Sequence, residues 1–428
     1  MESESFVIHG DICYSINPGA LRCVEDGYLV CENGVSCGVH ASLPERYQEL
    51  PLLDHEDKLI LPGLIDLHMH APQFSFRGLG MDFELLEWLE SYTFPEESKY
   101  RNLGYARNAY TAMVRNLVSG PNTRACLYAT VHLPATRLLM DMLEGSGLVC
   151  MVGKVNMDRN SPSYLCEESA VRSAEDTRLW LSGSAGRYKN VSPILTPRFI
   201  PVCSDELMKM LAEIQKEFGT PVQSHLSESL AEIEWVRQLC PSAKSYADAY
   251  ERFGLFGGKV PTIMAHCVWS DGDEIELMRR KNVYIAHCPQ SNTNLASGIA
   301  PVRRFLDENV STGLGSDVAG GCHTSIFRAM SDAIQVSKLR FRLADQGMKP
   351  LTVKEAFYLG TMGGGSFFGK VGSFEPGFEL DALVIDDSDI SAVFPLTIEE
   401  RLARVIYFSD DRHIHEKYVC GRCVKYRV

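Results

Sequence analysis

The sequence predicts an α/β fold: a (β/α)8 TIM barrel with a small β-sandwich-like domain formed by the N- and C-terminal segments. Between residues 59 and 369, short apolar segments alternate with longer helical stretches, which is the pattern of a parallel sheet. Shorter segments with alternating polar and apolar residues lie on either side of this region. We therefore expect residues 1–58 and 370–428 to form the small β domain and residues 59–369 to form the barrel.

Eight apolar runs are the expected barrel strands. The first of them does not alternate with polar residues, which indicates a strand buried on both faces. Eight strands that alternate with helices over about 300 residues suit a closed barrel. The strands are expected at 59–67, 125–131, 147–155, 191–196, 221–225, 261–266, 283–287 and 310–316.

One helix carries its own start and stop signals. Between Asp205 and Phe218 apolar residues recur at helical spacing, Ser204 can cap the first turn, and Gly219 follows the last. This pattern predicts a helix over residues 205–218.

The composition is that of an ordinary globular chain, and it limits the partners. The 428 residues are 45% hydrophobic and 23% charged, with a formal net charge of -13. Nucleic acids and anionic membranes require basic surfaces, so neither is an expected partner. The acidic start, residues 1–5, lacks the features of a signal peptide, and no apolar run approaches the roughly 20 residues of a membrane span. We expect a cytoplasmic protein whose 14 cysteines are reduced.

Histidines and one aspartate occur where several expected strands end. His68 and His70 end the first strand, and because alternate side chains on a strand share a face, both can reach one metal ion. Active sites of these barrels lie at the carboxyl ends of the strands. Each histidine alone is more often structural, and His132 also follows a strand, but the shared position favours a metal centre. The set is His68, His70, His225, His266, His287 and Asp317.

Two carboxylates near these histidines have both a chemical and a structural interpretation. Glu228 follows His225 by three residues, where it could carry a proton from water to a substrate or could complement the dipole of the next helix. Asp317 follows the glycines of Gly313-Leu314-Gly315, which allow close approach of a ligand, but it could also cap a helix.

Arg198 and Phe199 follow the fourth expected strand. An arginine offers parallel donors to a flat ligand with adjacent acceptors, and a phenylalanine beside it can stack on such a ligand. The alternative for Arg198 is a surface salt bridge.

These motifs together resemble the amidohydrolase superfamily. Residues 62–70, PGLIDLHMH, resemble its opening strand, and His225, His266 and Asp317 fall where its other metal-site residues fall. Residues 287–292, HCPQSN, resemble a segment of its deaminase and chlorohydrolase branch. Within that branch, the segments 70–74, 85–89, 92–95, 196–199, 225–228 and 315–321 resemble the members that deaminate guanine.

The resemblance implies a metal-dependent hydrolase that converts guanine to xanthine and ammonia in purine catabolism or salvage. It implies one Zn²⁺ per subunit, although the same ligands accept Fe²⁺. Hydroxide would attack C2 of the ring while Glu228 and Asp317 move protons and His266 holds the hydroxide. The implied protein is a homodimer.

The implied site residues fall into two groups. The metal ligands are His68, His70, His225 and Asp317. The substrate-binding residues are Gln73, Trp88, Arg198 and Phe199.

Two departures from the superfamily pattern and two alternatives remain open. Residues 121–125 read PNTRA where the superfamily often has a run of threonines, which makes Arg124 unusual, and residues 154–158 match loosely. The same site could act on another aminopurine, an aminopyrimidine or a chlorotriazine-like substrate, because fold does not decide function. A non-catalytic scaffold of the same fold is the other alternative.

Overall fold

The computed structural model describes residues 5–424 and contains one mostly antiparallel sheet and one barrel of parallel strands. Residues 1–4 of the expected acidic start lie outside the described range. No helix within residues 5–424 is long and apolar enough to cross a membrane. All 14 cysteines lie in this range, and none of them forms a disulfide.

Residues 5–424 contain seventeen strands, numbered in chain order. They are β1 Phe6–Asn17, β2 Ala20–Glu32, β3 Val35–His40, β4 Leu52–Pro62, β5 Leu64–His70, β6 Asn122–Tyr128, β7 Val149–Gly153, β8 Val155–Asn156, β9 Val191–Pro193, β10 Thr196–Pro197, β11 Val222–Leu226, β12 Thr262–His266, β13 Val283–His287, β14 Thr312–Leu314, β15 Ala382–Ile385, β16 Ile414–Val419 and β17 Arg422–Cys423.

Fourteen α-helices are numbered in the same way. They are α1 Leu85–Trp88, α2 Phe94–Ser98, α3 Leu103–Ser119, α4 Leu133–Ser146, α5 Ala170–Ser184, α6 Asp205–Phe218, α7 Leu230–Leu239, α8 Tyr246–Phe253, α9 Gly272–Lys281, α10 Pro289–Asn294, α11 Val302–Asp307, α12 Ile326–Leu343, α13 Val353–Tyr358 and α14 Ile398–Phe408.

Both ends of the chain build the small β domain. Its strands form a seven-stranded sheet in the order β17-β16-β15-β4-β1-β2-β3, in which only the β1–β4 pair is parallel. Side chains such as Ile12, Leu29, Ile60 and Val384 form an apolar core on this sheet that is separate from the main core. The N- and C-terminal segments therefore complete one structure, as the sequence predicts.

Eight parallel strand positions close the barrel. Two four-stranded parallel sheets, β5-β6-β7-β9 and β11-β12-β13-β14, contribute most of it. At one seam the Leu195 amide donates to the Pro221 carbonyl (2.8 Å), and the Gln223 amide donates to the Leu195 carbonyl (2.9 Å). At the other seam the Asp317 amide donates to the His68 carbonyl (2.8 Å). The carboxyl ends of all these strands thus face one side of the barrel.

The first predicted strand is divided between the two parts of the fold. Leu59 to Pro62 pair with β15 of the small domain, and the barrel strand begins only at Leu64. Gly63 separates them where the chain passes close to β6, because a Cβ at this position would lie 2.3 Å from the Thr123 side chain. β4 consequently runs across the predicted boundary between residues 58 and 59.

The helix predicted over residues 205–218 is confirmed. In α6 the Ser204 hydroxyl accepts a hydrogen bond from the Leu207 amide, and Gly219 ends the helix with a φ of 65°.

Arg124, the unusual residue of the second barrel strand, joins the barrel to the small domain. Its side chain is buried and pairs with buried Asp381 (Nε to Oδ2 2.7 Å, Nη2 to Oδ1 3.2 Å). A second contact runs from Nη2 to Glu379 (2.8 Å). The residue therefore serves the junction between domains and lies away from the strand-end histidines.

We expect Arg124→Ala to destabilise the protein by about 3–5 kcal/mol, because it leaves the Asp381 carboxylate buried without its cation. The thermal unfolding midpoint measures this effect. Arg172→Ala is the matched control, because Arg172 forms an exposed ion pair with Asp176 on α5 and its loss should change stability by no more than about 0.5 kcal/mol. Equal midpoints for the two variants would contradict this account of the junction.

Candidate active site

Three histidines and an aspartate from β5, β11 and the end of β14 converge at the carboxyl side of the barrel. The His68 Nε2 and His70 Nε2 atoms lie 3.0 and 3.4 Å from Asp317 Oδ1. The His70 and His225 Nε2 atoms are 3.2 Å apart. Four side chains of two types that proteins use as transition-metal ligands, imidazole and carboxylate, therefore point at one another in a small volume.

The surroundings of these histidines leave ring nitrogens free for a metal. The Arg198 carbonyl lies 2.6 Å from His225 Nδ1, and since a carbonyl only accepts, the proton belongs on Nδ1 and the Nε2 lone pair faces the cluster. His68 Nε2 is buried with the Asp317 carboxylate 3.0 Å away, and His68 Nδ1 is buried without a hydrogen-bond partner. A metal ion would take the Nε2 lone pairs and the Asp317 oxygen that converge here, so the residues present fit one.

Burial sets the protonation of this cluster. It lowers the pKa of His68 and places the pKa of His70 and His225 well below the usual value, so the rings are neutral ligands near pH 7. Burial acts to raise the pKa of the Asp317 carboxyl, but its contact with His68 and the nearby His266 and His70 rings together outweigh burial and hold that pKa well below its usual range.

His266 and Glu228 lie beside the metal cluster. The Asn292 amide oxygen is 2.9 Å from His266 Nδ1, which directs His266 Nε2 towards Glu228 Oε2 (3.4 Å) and Asp317 Oδ2 (3.8 Å). Burial raises the pKa of Glu228 well above its usual value, and the nearby carboxylates of Glu232 and Asp317 add to the effect. A carboxyl group of this kind can hold a proton near neutral pH and release it to a partner.

Several non-glycine residues at these strand ends have left-handed backbone angles. The φ angles are 48° at Ser227, 73° at His266, 50° at Cys267 and 46° at Asp317. Such conformations are unfavourable for residues with a Cβ and concentrate at functional sites.

A cavity of about 390 Å³, counted out to open solvent, lies beside the cluster. All four predicted substrate-binding residues line it, and so do five of the six predicted metal-site and catalytic residues. Buried His68 lies behind this wall, while His287 and His132 do not line the cavity. The lining residues are His70, Gln73, Leu85, Trp88, Leu89, Arg198, Phe199, His225, Glu228, Glu232, His266, Leu295 and Asp317.

Four of the lining residues were not predicted. Leu85 and Leu89 belong to segment 85–89, which resembles the members that deaminate guanine, so that resemblance could have identified them. Glu232 stands three residues after Ser229 in a capping box at the start of α7, which is visible in the sequence. No sequence signal marks Leu295.

The structural alternatives for three site residues are wrong. Arg198 forms no surface salt bridge: it is 2% exposed and pairs with buried Glu97. Glu228 precedes α7, whose cap is Ser229 and whose first-turn carboxylate is Glu232. Asp317 caps no helix, since α12 is the next to begin and its cap residue is Ser325.

Comparison with known proteins identifies the family to which this chain belongs. The family model described as the amidohydrolase family matches residues 59–424. The chain belongs to the amidohydrolase family. This confirms the superfamily resemblance read from the strand-end motifs, and it makes the protein a hydrolase of a family that is typically metal-dependent.

Within the amidohydrolase family, the chain is similar to several guanine deaminases. It is 40% identical to the guanine deaminase of Dictyostelium discoideum over 411 residues, which cover 94% of this chain and 88% of the relative. It is 38% identical to that of Homo sapiens over 388 residues, covering 88% and 85%. The crystal structure of guanine deaminase from C. acetobutylicum with bound guanine in the active site has a TM-score of 0.95 and 43% identity, covering 99% of this chain and 100% of that one.

Proposed function

We propose that the protein is a guanine deaminase that hydrolyses guanine to xanthine and ammonia. The observation that carries this proposal is one cavity in which Arg198, Gln73 and Phe199 face the cluster of metal-ligand side chains and Glu228. The similarity to guanine deaminases over nearly the whole chain supports the same substrate.

The metal in this proposal is one Zn²⁺ per subunit, and Fe²⁺ suits the same donors. A zinc ion here would lower the pKa of a water molecule towards ~7, which supplies hydroxide at neutral pH. The ligands are His68, His70, His225 and Asp317, whose donor atoms converge.

The remaining polar residues hold water and move protons. His266 orients the attacking oxygen from its buried position, because its Nδ1 is held by Asn292. As the oxygen adds to C2 of guanine, Glu228 takes one proton of the water and delivers it to the ring nitrogen, and Asp317 assists the transfer of the remaining O–H proton to the amino group. The C2–N bond then breaks, the amino group leaves as ammonia, and the oxygen remains on C2 of xanthine.

Arg198, Gln73, Phe199 and Trp88 bind the purine. The Arg198 guanidinium can only donate hydrogen bonds, so it favours a ring edge that carries acceptors, as the O6 and N7 edge of guanine does. Phe199 and Trp88 supply aromatic surfaces to the cavity wall. The Arg198 guanidinium favours guanine over aminopurines and triazines that present amino groups at that edge. The presence of all four metal-ligand side chains argues against a non-catalytic scaffold.

The proposed enzyme is a cytoplasmic homodimer that acts in purine catabolism or salvage. Exposed apolar side chains on the neighbouring helices α12 and α14, among them Leu339, Leu343 and Phe408, offer surface for a second subunit. Light scattering after size-exclusion chromatography should give twice the chain mass of 47.7 kDa. A mass of one chain at micromolar concentration would contradict the dimer.

Isotopically labelled water tests the reaction type. Metal-loaded protein incubated with guanine in water enriched in oxygen-18 should release xanthine that carries one heavy oxygen, with an equal amount of ammonia. Ammonia without xanthine, or xanthine without the label, would contradict hydrolysis at C2.

Arg198→Met should raise the KM for guanine by about 10- to 100-fold, which corresponds to the loss of a hydrogen bond from a charged group. The metal content should stay at one ion per chain, because the hydrogen bond between Arg198 and His225 uses the backbone carbonyl, which methionine keeps. Steady-state kinetics with metal analysis of the same sample measures both. An unchanged KM would assign Arg198 to structure alone.

A further inference from the structure

We infer that Glu97 is the positioning residue that fixes how Arg198 and Gln73 face the purine, and that it thereby sets the preference of the site for an acceptor edge. The inference rests on the proposed function and extends it to a residue outside the cavity lining.

Glu97 is the common acceptor for both purine-binding groups. It comes from α2, is 2% exposed, and its Oε2 atom accepts from Arg198 Nη1 at 2.6 Å. Its Oε1 atom accepts from Arg198 Nη2 at 3.1 Å and from Gln73 Nε2 at 2.9 Å. One buried carboxylate therefore receives three hydrogen bonds from two different segments of the cavity wall.

The paired bonds fix the plane of the Arg198 guanidinium. Two parallel N–H groups on one carboxylate form a rigid fork, and bonds of this charge-assisted kind are the strong ones in proteins. The guanidinium has five N–H donors, of which Glu97 uses two, and the other three can only donate. The Phe94 ring, 5.2 Å from the guanidinium carbon, packs on the same group. The purine therefore meets donors in a fixed orientation.

Glu97 also decides which way the Gln73 amide points. Gln73 Nε2 donates to Glu97, while Gln73 Oε1 accepts from the Ala319 amide at 3.1 Å. A reversed amide would place oxygen against the carboxylate and NH₂ against the Ala319 N–H, so two hydrogen bonds would become two repulsive contacts. The amide is locked, and its second N–H and remaining lone pair are presented in one arrangement.

Loss of the Glu97 carboxylate should therefore weaken recognition of the purine edge that carries O6 more than it affects the reaction at C2. Guanine and 2-aminopurine carry the same amino group on C2, but 2-aminopurine lacks the O6 acceptor. A substrate without O6 gains less binding free energy from the Arg198 and Gln73 donors. Its kcat/KM should therefore fall less when Glu97 no longer fixes the orientation of these two side chains.

Glu97→Gln tests this directly, because it keeps the size of the side chain and replaces one acceptor oxygen with a donor. We expect kcat/KM for guanine to fall about 10²-fold, the loss typical of a displaced binding group. For 2-aminopurine, kcat/KM, or its inhibition constant against guanine where turnover is too slow, should change several-fold less. Metal content should not change.

Glu96→Gln is the matched control on the same helix. Glu96 pairs with Lys99 (2.6 Å) and receives the Tyr105 hydroxyl, and it does not line the cavity. This variant should keep the wild-type preference for guanine over 2-aminopurine. If Glu97→Gln fails to fold, Glu97→Asp keeps the charge, shortens the side chain and should show the same selective loss in smaller measure.

A double variant of Glu97 and Arg198 provides a second test, because it measures the energetic coupling between the two residues. If Glu97 acts partly through Arg198, the loss in the Glu97→Gln/Arg198→Met double variant should be smaller than the product of the two single losses. Equal losses for both purines, an unchanged guanine kcat/KM in a folded variant, or fully multiplicative losses would overturn the inference. Wild-type protein that releases no ammonia from guanine would instead overturn the proposed function.

Discussion

Replacing Glu228 with glutamine is expected to lower kcat for guanine by about 10²- to 10⁴-fold, the usual contribution of a general acid–base group. Glutamine preserves the shape of the side chain, and its amide oxygen can still accept the bond that Ser297 Oγ donates to Glu228 at 3.3 Å. An amide cannot take a proton from water and deliver it to the ring. The expected loss is therefore in turnover, with metal content and folding retained.

A second buried glutamate provides the matched control for this experiment. Glu274 accepts bonds from Ser227 and from the Ala247 amide, both at 2.9 Å, burial likewise raises its pKa, and it does not line the cavity. Glu274→Gln should keep most of the activity. A near-normal kcat for Glu228→Gln in a metal-replete sample would remove Glu228 from the mechanism.

Removal of the metal should abolish turnover altogether. Three neutral imidazoles and one carboxylate suit Zn²⁺ or Fe²⁺, whereas Mg²⁺ and Ca²⁺ prefer oxygen ligands. Activity lost to a chelator should therefore return with Zn²⁺ or Fe²⁺ and should not return with Mg²⁺ or Ca²⁺. The thermal midpoint should fall as well, because an ion present at 1,000 times its Kd stabilises a protein by about 4 kcal/mol.

A pair of histidine variants separates the metal site from histidines that merely follow a strand. His68→Ala should lose the bound ion, since it removes the Nε2 donor that lies 3.0 Å from Asp317 Oδ1 in the cluster. His132→Ala should keep the ion, because His132 stands before α4 and does not line the cavity. Undiminished turnover in protein shown by elemental analysis to be metal-free would contradict a metal-dependent reaction.

The alternation of apolar strands with helices, and the polar residues that follow those strands, were enough to predict the barrel and the residues at its strand ends. The alternation of His68 and His70 on one strand follows from strand geometry, and parallel strands bring their carboxyl ends together wherever they lie in the sequence. The boundaries of α6 were readable because Ser204 and Gly219 mark both ends. These features depend on neighbours within a few residues.

Contacts between distant segments could not be predicted in this way. Glu97 and Arg198 are 101 residues apart, and no spacing rule relates α2 to the loop after the fourth barrel strand. Arg124 meets Asp381 across 257 residues. The sequence did not show that the strand is divided at Gly63. The apolar run from Leu59 to Leu67 contributes first to the sheet of the small domain and then to the barrel, and its residues are buried in both.

The most direct measurement is ammonia release from the zinc-loaded protein with guanine, adenine, cytosine and an aminated pterin compared side by side. We expect rapid release from guanine, matched by the appearance of xanthine, and little from the other three amines. Faster release from another amine would retain the hydrolytic site and contradict the role given to Arg198. No release from guanine by protein with its metal bound would contradict the proposed function itself.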